Sequence, residues 1–212
     1  MSSVAVIDYG MGNLHSIGKA LQHAEPQTRV LVTSDPGQLR NADRVVFPGV
    51  GSIRDCMAAL RDLGLIPLLA ELSATKPFLG ICLGMQALLE HSEENDGVTC
   101  LGLLPGRVVK FSDDLMDGSG QTLKIPHMGW NRVHQTGVHP LWEGIPQDSR
   151  FYFVHSYYAK PQNSANIAAT SDYPEPFTVA LANKNLFAVQ FHPEKSQAVG
   201  LQLLTNFLQW NP

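Results

Sequence analysis

The sequence predicts a single α/β domain, a doubly wound and mostly parallel central sheet with an antiparallel extension. Three observations lead there. Short apolar runs alternate with amphipathic stretches through the first half, the order expected of parallel βαβ units. The second half instead carries strand-like segments separated by turn residues. The 212 residues contain no internal repeat and no linker long enough to split the chain. At that length one core can bury roughly 70% of the surface the unfolded chain exposes.

Val4–Ile7 is a short apolar run, read as a buried parallel strand. A glycine-rich loop follows, Tyr9-Gly10-Met11-Gly12-Asn13, in which Asn13 can cap a helix with the apolar face Leu14, Ile17 and Leu21. Val30–Val32 is a second strand, and Ser34-Asp35-Pro36 starts a helix with proline inside the first turn. Arg44–Phe47 is a third strand and ends in Pro48-Gly49-Val50-Gly51. Helical stretches then run through Ile53, Met57 and Leu60 and over Pro67–Leu72. Phe78–Ile81 is a fourth strand, followed by a helix carrying Met85, Leu88 and Leu89. Beyond it, Arg107–Phe111, Thr122–Ile125, Asn131–Gln135, Phe151–Tyr158, Ile167–Ala169, Phe177–Ala182 and Leu186–Phe191 read as strands. Asn183-Lys184-Asn185 reads as a hairpin tip, and Asp113–Gly120 as a polar, mobile loop. A last helix spans Ser196–Trp210, with Ser196 as its cap and Val199, Leu203, Leu204 and Phe207 as its apolar stripe. In such a sheet, ligands bind in the loops at the carboxyl ends of the strands.

Composition narrows the function. Fifteen Lys+Arg against 19 Asp+Glu give a net charge of −4, which argues against a nucleic-acid or anionic-membrane partner. An apolar share of 44% excludes a disordered chain. Cys56, Cys82 and Cys100 form neither a disulfide framework nor a zinc pattern, so reduced thiols are expected. No basic leader precedes the first strand, and the longest mostly apolar stretch, Leu63–Leu72, is interrupted by Pro67 and Glu71. A cytoplasmic protein is therefore expected. No ligand cluster suggests a metal. Gly10-Met11-Gly12-Asn13 lacks the third glycine of a dinucleotide fingerprint, so no cofactor is expected. Charged residues are only 16%, which fits either a surface covered by a partner or one made polar by Gln, Asn, Ser and His.

Gly80-Ile81-Cys82-Leu83-Gly84 is the strongest local signal. Small residues on both sides of a strand-to-helix turn let the chain bend sharply and expose the central side chain, as in a nucleophile elbow. A cysteine there meets a helix N-terminus, which favours the thiolate, and the Leu83 N–H could serve an oxyanion. The alternative is a buried cysteine in an ordinary strand–helix turn. Cys56 and Cys100 lack this context and read as packing or surface residues. A thiolate needs a base, usually histidine, and a group to orient it. Phe191-His192-Pro193-Glu194 offers both, because residues two apart on a strand point the same way. A surface turn is the alternative, and His155, also at the end of an apolar strand, is a rival base. The glycines at Gly49 and Gly51 let backbone N–H groups approach a ligand closely. A plain strand exit explains them as well.

Taken together, Gly80–Gln86, Phe47–Gly51 and Gln190–Glu194 resemble the class I (triad) glutamine amidotransferases, in the family's order and over essentially the whole chain. Within that family, Asp8–Leu14, Pro126–Asn131 and Phe151–Tyr157 resemble the glutaminase subunits of imidazole glycerol phosphate synthases. The Leu115–Gln121 loop matches nothing in the pattern. The resemblance implies that Cys82 attacks the carboxamide of glutamine, His192 moves the proton and Glu194 orients His192. It implies an oxyanion hole from the backbone of Gly49, Val50 and Leu83. It implies that Gly51, Gln86 and the His155-Ser156-Tyr157 stretch hold the amino-acid end of glutamine. A thioester forms, ammonia leaves, and water releases glutamate.

The same resemblance implies a heterodimer with a cyclase subunit built as a (β/α)8 barrel, to which ammonia passes without entering bulk water. The cyclase joins it to a phosphorylated ribulosyl intermediate, giving imidazole glycerol phosphate and AICAR in histidine biosynthesis. Met128 and Trp130 are expected in that interface, although both residue types also suit a domain core. Lys195 is expected to pair with an acid on the barrel, and Asn13 to carry the partner's ligand state to the oxyanion loop. Competing functions are the glutaminase subunit of another amidotransferase, a γ-glutamyl hydrolase, and a non-catalytic binding subunit of the same fold.

Overall fold

The computed structural model describes residues 2–212. In chain order it runs β1 (Ser3–Ile7), α1 (Leu14–Ala24), β2 (Arg29–Thr33), α2 (Pro36–Asn41), β3 (Arg44–Gly49), α3 (Ile53–Asp62), α4 (Ile66–Thr75), β4 (Phe78–Cys82) and α5 (Leu83–Ala87). It continues through β5 (His91–Ser92), β6 (Val98–Thr99), β7 (Gly106–Lys110), β8 (His127–Arg132), β9 (His134–Gln135) and β10 (Arg150–His155). The last elements are β11 (Tyr157–Pro161), β12 (Ile167–Asp172), β13 (Pro176–Asn183), β14 (Leu186–Val189) and α6 (Gln197–Gln209).

The main sheet has the order β2-β1-β3-β4-β14-β13-β11-β7-β5-β6. From β2 to β14 every pairing is parallel. From β14 to β7 the pairings are antiparallel. Strands β3, β4 and β14 are fully buried, because helices cover both faces of a parallel core. One core packs Ile17 and Leu21 of α1 and Leu203, Leu204 and Phe207 of α6 against the sheet. The other packs Leu60, Leu68, Leu72 and Met85 from α3, α4 and α5. Strands β8 and β10 form a separate antiparallel ribbon.

Local chemistry sets the ends of several elements. Asn13 Oδ1 accepts from Ser16 N at 3.3 Å and starts α1. Asp35 Oδ1 accepts from Gln38 N at 2.7 Å, with Pro36 opening α2. Asn183 pairs with Leu186 across a tight turn, so the expected hairpin is present. The pairing of three adjacent strands matters most for function. Gly49 lies opposite Cys82, and Val189 opposite Ile81. The carboxyl ends of β3, β4 and β14 therefore open side by side.

Several expectations are corrected. The helix after Cys82 stops at Ala87. Its residues are all buried, and the carbonyls of Leu88 and Leu89 are taken by the N–H groups of Gly102, Leu103 and Leu104 instead of continuing the helix. Thr122–Ile125 forms no strand; a single bridge joins Met116 to Thr122, and the segment alternates exposed Thr122 and Lys124 with half-buried Leu123 and Ile125. The run Phe151–Tyr158 breaks at Ser156, so that β10 joins the ribbon and β11 the main sheet. Asn131–Gln135 divides at Val133 into β8 and β9, and β8 begins earlier, at His127. Ser196 precedes α6 but does not cap it: its hydroxyl donates to the His192 carbonyl at 2.6 Å and accepts from Tyr152 N at 3.0 Å. The short strands β5 and β6 gave no alternation long enough to be read.

Candidate active site

Cys82 closes β4 with φ 54° and ψ −110°, a conformation outside the allowed wells of a non-glycine residue. Such strain costs about 1–3 kcal/mol and persists only where the surroundings enforce it. They do so here. A Cβ on Gly84 would overlap the Phe47 carbonyl oxygen, and one on Gly80 would lie 3.1 Å from both Ala188 and Leu88. The glycines on either side of the cysteine thus permit the close approach of β3, β14 and the turn that the bend requires. Cys82 is buried, yet it lines a cleft of about 300 Å³.

His192 follows β14 and enters that cleft beside Cys82. Its Nδ1 is 2.8 Å from Glu194 Oε1, and the two side chains are only 2% and 4% exposed. The turn that carries them is held by His192 N donating to the Tyr152 carbonyl at 2.9 Å and by the Ser196 hydroxyl. A Cβ on Gly200 would overlap the Pro193 carbonyl, so α6 packs directly against this turn. Burial pulls the His192 pKa down, but the adjacent Cys82 sulfur and the Glu194 carboxylate together raise it well above the ordinary histidine value. His192 Nε2 is buried and meets no hydrogen-bond partner among the described residues. With Nδ1 bound to Glu194, Nε2 is the nitrogen left to exchange a proton with the thiol. The expected nucleophile, base and orienting acid are therefore brought together.

His155 is excluded as the base. Its Nδ1 is 2.8 Å from the Tyr157 carbonyl and its Nε2 is 2.9 Å from His127 Nδ1, so neither nitrogen is free. Burial also drives its pKa down to about 3. It lines the cleft with Ser156 and Tyr157, where the break between β10 and β11 turns the chain across the floor. Gln86, Val50, Gly51 and Leu83 complete the expected lining. Val50 and Leu83 line the cleft beside Cys82, and Gly49 pairs with Cys82 at the last rung of the ladder between β3 and β4, the place where an oxyanion would form. Gly49 is buried, and a Cβ there would meet the Tyr9 hydroxyl at 2.6 Å.

Three residues went unread in the sequence. Glu94 lines the cleft and accepts from Ile53 N at 3.1 Å, and burial raises its pKa. The Tyr9 hydroxyl donates to the Pro48 carbonyl at 2.9 Å and fixes the start of the glycine loop. Gln190 Nε2 lies 3.7 Å from Cys82 Sγ. Tyr9 and Gln190 lie inside the Asp8–Leu14 and Gln190–Glu194 blocks, which assign neither a role of its own, and Glu94 belongs to no motif.

The candidate interface residues share one surface. Along β8, His127 is buried and Met128 and Trp130 are 61% and 40% exposed, as the pleat alternates them. Trp130 meets Tyr152 edge-on at 6.1 Å, and Lys195 Nζ lies 5.7 Å from the Tyr152 ring centre. Val154, beside Met128 across the ribbon, also lines the cleft, so this apolar patch reaches its mouth. Asn13 is exposed and borders a small cavity shared with Gly49, Val50, His192 and Glu194. Among the described residues no group of three His, Cys, Asp or Glu side chains could hold a metal ion, and no helix is long and apolar enough to cross a membrane.

Comparison with known proteins agrees with this geometry. The model of the class I glutamine amidotransferase family matches residues 5–210. The imidazole glycerol phosphate synthase subunit HisH of Methylococcus capsulatus is 65% identical, covering 100% of this chain and 98% of that protein. The HisH subunit of Nitrosococcus oceani is 61% identical, with coverage of 100% and 99%. Among solved structures, PurLQS from Thermotoga maritima aligns with a TM-score of 0.68 at 17% identity, over 98% of this chain and 96% of the matched one. That last likeness concerns the fold alone.

Proposed function

Because the chain belongs to the class I glutamine amidotransferases, and within them to the HisH subunits of imidazole glycerol phosphate synthase, we propose that Cys82, His192 and Glu194 hydrolyse glutamine and that the ammonia passes to a cyclase partner. The observation that carries this reading is the strained Cys82 beside a buried His192–Glu194 pair. Glutamine enters the cleft with its carboxamide at Cys82. Both N–H bonds of the Gln86 amide are engaged, to the Tyr157 carbonyl and to Gln190, so Gln86 offers its oxygen to the substrate ammonium. The Glu94 carboxylate offers the same cation a charge partner.

The Cys82 sulfur attacks the carboxamide carbon, and the developing oxyanion takes the N–H groups of Leu83 and of the Gly49–Val50 segment. His192 accepts the thiol proton and delivers it from Nε2 to the leaving nitrogen, which departs as ammonia. Water, deprotonated by the same nitrogen, then opens the thioester to glutamate. Glu194 stabilises the imidazolium in both halves.

Ammonia released into neutral water would become ammonium, which is not a nucleophile, so a sealed route to the acceptor is required. The Met128–Trp130–Tyr152–Val154 face runs to the cleft mouth and suits such a seal, with a (β/α)8 cyclase as occupant and Lys195 paired to an acid on it. Asn13, which borders the cavity behind Gly49 and Glu194, is placed to pass the partner's ligand state to the oxyanion loop. The test is glutamate release by the wild type and by Cys82→Ala, alone, with the cyclase, and with cyclase plus its ribulosyl ligand. Release that depends on Cys82 and rises with cyclase and ligand is expected. Release indifferent to the cyclase would point to a γ-glutamyl hydrolase or another amidotransferase, and no Cys82-dependent release would remove the catalytic reading.

A further inference from the structure

A continuous run of hydrogen bonds connects the inner face of β8 to the nucleophile. Asn131 Oδ1 accepts from Arg132 N at 2.8 Å, and Asn131 Nδ2 lies 2.9 Å from the Asp172 carbonyl and 3.2 Å from His127 Nε2. The two backbone partners fix which end of the amide is which. His127 Nε2 must then accept, so its proton sits on Nδ1, 2.9 Å from His155 Nε2. That nitrogen must accept in turn, so the His155 proton sits on Nδ1 and is donated to the Tyr157 carbonyl at 2.8 Å. The same carbonyl accepts from Gln86 Nε2 at 2.9 Å. Gln86 Nε2 also donates to Gln190 Oε1 at 3.0 Å, which turns Gln190 Nε2 toward Cys82 Sγ at 3.7 Å. Every donor and acceptor along this path has one consistent assignment, and each imidazole has a single neutral tautomer.

We propose that this chain positions the nucleophile: Gln190 donates to the Cys82 thiolate, and Asn131, on the strand whose other face carries Met128 and Trp130, sets the direction of every bond behind it. The reading of β8 as the docking strand rests on the proposed function; the assignment of Gln190 and Asn131 does not. Gln190 touches the reacting sulfur and is a catalytic residue in that sense. Asn131, His127 and His155 are positioning residues. Both imidazoles are held neutral by burial and by the bonds themselves, because a protonated ring would set donor against donor at one of its nitrogens. The strand that meets a partner thereby reaches the thiolate through polar side chains of fixed orientation, rather than through apolar packing that can slide.

The test reads the Cys82 thiolate directly, through the pH dependence of its alkylation rate in the free full-length chain, which needs neither partner nor turnover. Gln190→Glu keeps the shape and the acceptor facing Gln86 but removes the donor. Its alkylation midpoint should move to higher pH, with a loss of about tenfold or more in rate below it, the size of a charge-assisted hydrogen bond. Gln190→Leu serves if the buried carboxylate prevents folding and should shift the midpoint the same way. Asn131→Asp cannot donate to His127. It instead favours a proton on His127 Nε2, either as an imidazolium, which leaves the path intact, or as the opposite neutral tautomer, which reverses it. The variant should therefore gain a titration in its thiol reactivity, with reactivity lost as His127 deprotonates, and the ¹⁵N shifts of His127 should report the change of tautomer. In the wild type both rings should show the Nδ1–H form. Thiol profiles of Gln190→Glu and Gln190→Leu that overlay the wild type would overturn the role of Gln190. An Asn131→Asp profile that overlays it, or wild-type rings in the Nε2–H form, would overturn the chain behind it. Absence of glutaminase activity from the wild type, with these profiles as expected, would count against the proposed function and leave this inference standing.

Discussion

Glu194→Gln separates the charge of the buried carboxylate from its shape. The glutamine oxygen can still accept from His192 Nδ1, whose native distance to Glu194 is 2.8 Å. What disappears is the Coulomb attraction to the imidazolium. Charge centres about 4 Å apart interact by about 4 kcal/mol at an effective dielectric of about 20, or roughly 3 pKa units. The burial that opposes protonation stays in place, with both side chains nearly inaccessible. The His192 pKa should therefore fall by about 1–3 units from its raised value of about 10. The effect on stability has a definite sign. In the native protein the pKa is raised above the unfolded value. Protonation thus stabilises the fold fully below about pH 6.5 and ceases to do so as pH rises through the folded pKa. The stability deficit of the variant should be greatest near pH 6 and shrink at alkaline pH. Titration of the His192 ring by NMR, denaturant unfolding across that pH range and glutaminase kcat check the three parts. The rate should fall by roughly 10- to 100-fold, because the imidazolium is no longer held. If His192 titrates at the same pH in both proteins, Glu194 does not act through its charge and only orients the ring.

Other outcomes follow from the same geometry. Tyr9→Phe leaves the Pro48 carbonyl without its donor at a buried site, which should cost about 1–3 kcal/mol of stability. The peptide plane ties that carbonyl to the opposite direction of the Gly49 N–H, so kcat should fall with little change in KM; an unchanged kcat would free the oxyanion loop from Tyr9. Gly84→Ala sets a methyl against the Phe47 carbonyl and should destabilise the fold by about 2–4 kcal/mol in denaturant unfolding. In the folded chain, iodoacetamide should label Cys82 alone, since burial pushes Cys56 up to about 12 and Cys100 to about 11. Mass spectrometry that finds Cys56 or Cys100 modified at a comparable rate would contradict this.

The parallel half was legible because a strand buried on both faces writes an unbroken apolar run, and Asn13 and Asp35 mark their helices by side-chain caps that act within three residues. What local pattern could not supply was adjacency. Nothing in Leu186–Val189 says that it lies next to β4, and that neighbour relation alone carries His192 to Cys82. The triad was legible only as three separated blocks whose joint order resembles a family. The polar residues between those blocks were less legible still. Gln190, Asn131 and His127 make their contacts across strands, and their partners lie far away in sequence.

The break at Ser156 shows how an error in reading strands hid part of the site. Phe151–Tyr158 alternates well enough to pass for one strand, yet a single straight strand would send both halves into one sheet. A bend there lets His155 pair with His127 across the ribbon while the carbonyl of Tyr157, in the main sheet, accepts from Gln86 of α5. The residues that depart from regular pairing are thus those that join the two sheets at the cleft. The same holds at Cys82, where regular backbone would have continued β4 between β3 and β14 and turned the sulfur onto a helix-covered face of the sheet. In both places the local rule yields where two layers must meet a common substrate, and the cost is met by the rigid, fully buried strands on either side.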